Sequence, residues 1–178
     1  QPLGGRTLAV YAEQGLGDVL QFVRYLPLLQ AQGAQVVCVV QPELVSLVEA
    51  SFDGVRCLHA GDNLTVHLHV AMLELPGRLG TTLQTVPAPQ RYLRAPQAAR
   101  ERWRQRLAPW TAGKRIGIAW SGSPQQVNNR NRSLRLSHLL PLAALPGVQL
   151  FSLQKGDAGA ATDADLAQAG IVDLTGDW

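Results

Sequence analysis

Short apolar runs alternate with helical patterns along this chain, and that alternation limits its fold more than any single motif. "RTLAVYA" (6–12) reads as a strand. Residues 18–32 then place Val19, Phe22, Val23, Leu26 and Leu29 on one helical face. Pro27 inside that pattern is expected to kink or shorten the helix. "GAQVVCVVQP" (33–42) is apolar throughout, as a parallel strand covered on both faces would be. "ELVSLVEA" reads as a short helix, and "GVRCLHA" and "LTVHLHV" as a third and fourth strand. From Ala71 to Pro89, prolines and glycines break the pattern, so loops and short helical turns are expected. "QAARERWRQRLAPW" is a charged helix, expected to be solvated over most of its surface.

The pattern starts afresh after "PWTAGK". "KRIGIAW", "VQLFSLQ" and "IVDLT" read as strands, with helices at "SHLLPLAALP" and "DADLAQAG" between them. The loops "SGSPQQVNNRNRSLRL" and "KGDAGAAT" precede those helices. Alternating strand and helix implies parallel sheets with crossover connections. The expected organisation is α/β: a complete Rossmann-like domain over 1–110 and an incomplete second one over 111–178. The chain begins at Gln1 and ends at "DLTGDW", so both ends are expected to be cut from something longer.

Composition narrows the function classes. Of 178 residues, 46% are hydrophobic and 16% charged, enough apolar side chain for a core. The net charge of +3 is almost all arginine, Lys114 and Lys155 being the lysines. Such an excess suits small anions and is too weak and scattered to argue for nucleic acid. Cys38 and Cys57 lie in apolar runs and are expected as buried free thiols. No leader-like segment or apolar run of ~18 residues appears, so a cytoplasmic protein is expected.

Two loops carry the chemistry. "YAEQGLGDVLQF" joins the first strand to the first helix. It is not a dinucleotide fingerprint, because Leu20 stands where the third glycine belongs, and no Gly-Lys-Ser/Thr follows. Asp18 already supplies an anion where a phosphate would sit. At the carboxyl edge of a parallel sheet such a carboxylate can take a proton from a hydroxyl, or it can simply cap the helix; the two roles are compatible. Gly15 and Gly17 are expected to let the backbone bend sharply at this turn. The second loop has the opposite character. Arg130, Arg132 and Arg135, with Ser121, Gly122, Ser123, Asn131 and Ser133, offer what a diphosphate needs, or else form a polar solvated loop. Gln154 and Lys155, closing the next strand, face a nucleotide or form a surface turn. His67 and His69 alternate on one strand but lack residues spaced to complete a metal site, and His59 and His138 stand alone. Trp103, Trp110 and Trp120 are expected to pack the domains and their boundary helix.

"AEQGLGDVLQFVRYLPLLQAQGAQV", "LPGRLGTTLQTVPA", "IGIAWSGSPQQVNNRNRSL" and "FSLQKG" together resemble a known family. It is the glycosyltransferase family 9-like module of bacterial tetratricopeptide-repeat proteins, related to the lipopolysaccharide heptosyltransferases. The resemblance implies a GT-B fold, with the acceptor mainly on the first domain and a nucleotide-sugar on the second. It implies that Asp18 is the general base, and that Gln14, Gly15 and Gly17 lie on the acceptor side and leave room for the acceptor. It also implies that the stretch from Ser121 to Ser133 holds the donor diphosphate. No metal or other cofactor is implied. The acceptor would be a glycan, a lipid-linked sugar or a protein, and tetratricopeptide repeats would precede Gln1. The family continues beyond "DLTGDW" with further donor-binding sequence, so this fragment is expected to be inactive by itself. A second expectation is a non-catalytic nucleotide-binding or scaffolding domain. A nicotinamide-dependent oxidoreductase fits less well, because no ribose-binding acid follows the second strand and Glu43 lies beyond Pro42.

Overall fold

The computed structural model describes all residues except 1, 2, 59–61, 64, 124, 125, 156–162 and 178. His59, and all but the first residue of the expected loop "KGDAGAAT", lie outside the described residues. The chain divides into two compact units, Gln1–Arg102 and Trp103–Trp178. Among the described residues no helix is long and apolar enough to cross a membrane.

The first unit is a four-stranded parallel sheet of β1 (Thr7–Tyr11), β2 (Gln35–Val39), β3 (Arg56–Cys57) and β4 (Leu68–Ala71). Its order is β3-β2-β1-β4. The central strands carry the uninterrupted apolar runs because they have neighbours on both sides. Leu8, Ala9 and Val10 of β1 and Val36, Val37 and Cys38 of β2 are all buried. The edge strands are shorter than their seven-residue sequence patterns. β3 pairs with β2 at only two positions, Val37↔Arg56 and Cys38↔Cys57. β4 begins one residue after His67, whose Nδ1 accepts the Thr7 N–H at 3.1 Å. His67 is thereby a structural acceptor at the sheet's end.

The helical pattern at 18–32 is broken as the proline requires. α1 (Leu16–Phe22) passes through a 3₁₀ turn at Val23–Tyr25 into α2 (Leu26–Ala31), with Pro27 in the first turn of α2. Val19, Val23, Leu26 and Leu29 pack on one face of the sheet, with Leu8, Val10, Val36, Cys38 and Cys57 beneath them. α3 (Pro42–Ser51) adds Leu44 and Val48, and α4 (Leu75–Arg78) adds Leu75. Arg24 pins the following loop by donating to the Tyr92 hydroxyl at 2.9 Å and to the Pro87 carbonyl at 3.3 Å. α5 (Gln97–Arg106) buries none of its residues, and the division between the units falls within it.

The second unit holds β5 (Lys114–Ile118), β6 (Val148–Ser152) and β7 (Val172–Asp173), parallel and in that order. The stretch after β5, expected as an irregular loop, contains a single helical turn, α6 (Asn129–Arg132), and a 3₁₀ turn at Leu136–His138. α7 is confined to Leu140–Ala143, with Pro141 in its first turn, and α8 spans Asp163–Gln168. Ile118, Trp120, Leu136, Leu150, Leu166 and Ile171 form the core. Trp110 sets its edge on Phe151, with ring centroids 5.4 Å apart at 88°.

Candidate functional site

Parallel sheets place ligands outside the carboxyl ends of their strands, at the point where strand order reverses. In the first unit the chain moves from β1 outward to β2 and β3, then returns to the other side of β1 as β4. The reversal lies at the carboxyl ends of β1 and β4, and the segment leaving β1 there is Ala12–Gly15. Ala12 still donates to the Val39 carbonyl at 2.9 Å, so the sheet supports the start of this turn.

Gly15 is the N-cap of α1, and Asp18 stands at the third helical position. The Gly15 N–H donates to Asp18 Oδ2 at 3.1 Å, so the carboxylate does cap the helix. Oδ1 accepts no hydrogen bond from the described residues, and the side chain is half-buried. The glycines do something other than expected. Gly15 has φ −69°, and Gly17 is not among the glycines with positive φ. A side chain at Gly17 would meet nothing within 4 Å, and one at Gly15 only Asp18 Oδ2 at 3.6 Å. No backbone bend requires glycine here; its effect is to keep the space in front of the first helical turn open.

Gln14 is exposed, and its carbonyl accepts the Gln41 amide at 2.7 Å. Gln41, at the carboxyl end of β2, went unnoticed in the sequence. Its Oε1 is buried and lacks a hydrogen-bond partner among the described residues. Its position just beyond an apolar strand and before Pro42 was the signal that could have found it, by the same carboxyl-edge rule.

In the second unit the structure gathers the expected residues around the carboxyl ends of β5 and β6. Gln154 is buried and organises them. Its Oε1 accepts the N–H groups of Trp120 and Ser121 at 2.9 and 2.8 Å. Its Nε2 donates to the carbonyls of Ser121 and Lys155 at 3.0 and 3.2 Å. Both lone pairs and both protons of the amide are therefore used inside the protein. Gln154 holds the loop instead of offering itself to a nucleotide. The Ser121 and Ser133 hydroxyls are hydrogen-bonded at 3.1 Å, and Ser133 Oγ donates to the Asn129 carbonyl at 2.7 Å. Asn129 closes the ring, accepting the Gly122 N–H at 3.1 Å and donating to Ser121 Oγ at 3.3 Å.

Gly122 leaves little room for a side chain. A Cβ there would lie 3.0 Å from Asn129 Oδ1 and 3.8 Å from the Arg132 guanidinium carbon. Arg132 thus reaches across the Gly122 backbone. Arg130, Asn131, Arg132, Arg135 and Lys155 are exposed. Asn131 donates to Asn128 Oδ1 at 2.7 Å. Among the described residues no carboxylate pairs with Arg130, Arg132 or Arg135. Three guanidinium groups within six positions, on a stretch held by part-buried hydrogen bonds, make an anion-attracting rim. Trp120 is buried, and its indole N–H has no hydrogen-bond partner among the described residues.

The two cysteines sit side by side on β2 and β3, buried and unlinked. Burial raises both thiol pKa values, reinforced for Cys38 by Cys57 and for both by Glu49. Glu49 Oε1 accepts the Cys57 N–H at 2.8 Å. Among the described residues no three His, Cys, Asp or Glu side chains are grouped to hold a metal ion.

No protein-family model, curated protein or solved structure matches the chain. The fold and its polar edges define a class: two α/β units, each built on a parallel sheet. The first carries an acid at the carboxyl edge of its sheet and the second an arginine-rich turn.

Proposed function

We propose that the chain is the core of a GT-B glycosyltransferase that moves a sugar from a nucleotide-sugar to an acceptor hydroxyl with inversion and without a metal. The observation that carries this reading is Asp18, at the strand-order reversal with Oδ1 unengaged. The acceptor hydroxyl gives its proton to Asp18, and its oxygen forms a bond to the anomeric carbon. The bond from that carbon to the diphosphate breaks, and the nucleoside diphosphate leaves with the electron pair. Arg130 and Arg132 stabilise the charge that develops on the leaving group, and Lys155 adds a cation beside the nucleotide. Gln154, Ser121, Asn129 and Ser133 hold the arginine turn in place. The acceptor is a glycan, a lipid-linked sugar or a protein, and the reaction takes place in the cytoplasm. The activity belongs to a longer protein in which tetratricopeptide repeats precede this chain.

The test is a panel of nucleotide-sugars and acceptors assayed with that longer protein, wild type against Asp18→Asn. Unchanged turnover in the variant removes Asp18 as the base. One observation favours a second reading, a non-catalytic nucleotide-binding or scaffolding domain. The bond to Gly15 gives Asp18 a complete structural role without any chemistry. Calorimetric binding of nucleoside diphosphates without transfer of any sugar in the panel selects that reading.

A further inference from the structure

The first unit has an open pocket of about 330 Å³ on the helix-covered side of the sheet. Leu8, Leu68 and Val70 line it from β1 and β4, Leu29 from α2, and Leu75 and Leu79 from α4 and the residue after it. Leu8 is the second residue of β1 and Leu68 the first of β4, so the cavity lies toward the amino ends of the strands. Asp18 follows their carboxyl ends, so this is a separate site. We propose that the cavity binds the chain of a medium-length aliphatic carboxylate, with the carboxylate at Arg78 and Gln32.

Three features define that occupant. Seven of the ten lining residues are aliphatic, and an open pocket with an aliphatic wall and a few polar groups suits an amphipathic guest. A volume of about 330 Å³ suits roughly eight to ten carbon atoms at interior packing density. That is too small for a packed helix. The polar lining residues, Gln32, His69 and Arg78, are all exposed. Arg78 gives Nε and Nη2 to Glu74 Oε2 at 3.0 and 2.8 Å, but Nη1 has no partner among the described residues, and neither has the Gln32 amide. Two unengaged donors beside an apolar space match a carboxylate on an alkyl chain. The Arg78–Glu74 pair is solvent-exposed and costs little to rearrange.

The experiment titrates sodium octanoate and 1-octanol into the full chain by calorimetry. Octanoate is expected to bind with a Kd on the order of 0.1 mM. Leu79→Phe, at a partly exposed position, fills the space without burdening the core, and Val70→Phe fills it from the sheet. Each is expected to weaken both ligands by about tenfold or more. Arg78→Gln is expected to weaken octanoate about fivefold and leave 1-octanol unchanged. Binding that does not saturate in the millimolar range overturns the proposal, as does binding that survives both filling variants. Equal loss of both ligands in Arg78→Gln overturns the assignment of the carboxylate. A concentration-dependent dimer in sedimentation, abolished by the filling variants, overturns it in favour of a second copy of the chain.

Discussion

Asp18 combines two roles that a pair of substitutions separates. Asparagine keeps an oxygen that can accept the Gly15 N–H, whereas alanine does not. Asp18→Ala is therefore expected to lower stability by about 1 kcal/mol in urea denaturation, and Asp18→Asn by less than half of that. Both are expected to lose transfer by about 10²-fold or more if the carboxylate is the base. The acid was visible in the sequence because its spacing from Gly15 is local. The bend assigned to Gly15 and Gly17 was not, because φ depends on how the turn meets the sheet. The cysteines set a pH limit. An unfolded thiol ionises near 9.0, while burial pushes Cys57 up to about 12 and Cys38 higher still. Between those values the unfolded chain binds fewer protons than the folded one, so stability falls as pH rises. The full contribution is present below about pH 9 and drains away toward pH 12, at roughly 1 kcal/mol per pH unit for each thiol. Thermal melts from pH 8 to 11 are expected to show this decline, with a shallower slope for Cys57→Ala.

Strand ends and loops obey constraints that the chain's local pattern expresses only in part. Gln154 occupies the position the carboxyl-edge rule singled out, but its four hydrogen bonds come from residues more than thirty positions away and from its own neighbour. Gln154→Leu leaves the buried Trp120 N–H and the part-buried Ser121 N–H unpaired and is expected to cost the second unit about 2–4 kcal/mol, read by tryptophan fluorescence in urea. Gln154→Glu keeps the acceptor, loses the two donated bonds and should fall between wild type and Leu. Gly113 presents a sharper limit at the start of β5. Its φ is +79°, and a Cβ would press into the Gly147 carbonyl, which already accepts the Lys114 N–H at 2.6 Å. Gly113→Ala is expected to lose at least about 2 kcal/mol in the same assay. β3 and β7 each pair with their neighbour at only two positions, and an apolar pattern becomes strand only where a neighbour supplies hydrogen bonds.

Over the whole chain, the two units supply different halves of the proposed reaction, so a ligand of one tests that unit by itself. A nucleoside diphosphate at about 100 times its Kd should stabilise the second unit by about 2.7 kcal/mol. The shift in melting temperature is expected to vanish in Arg130→Gln/Arg132→Gln and to shrink with salt, as an exposed guanidinium–phosphate contact requires. Local pattern was enough to specify α/β architecture, parallel strands and the break at Pro27. Apolar runs, helical periodicity and proline all act within a few residues of themselves. The order β3-β2-β1-β4, the cavity beside β4, the buried Gln41 Oε1 and the saturation of Gln154 arise from contacts between segments distant in the chain. Such contacts depend on which strands become neighbours and in what register, and no short window of residues contains that information.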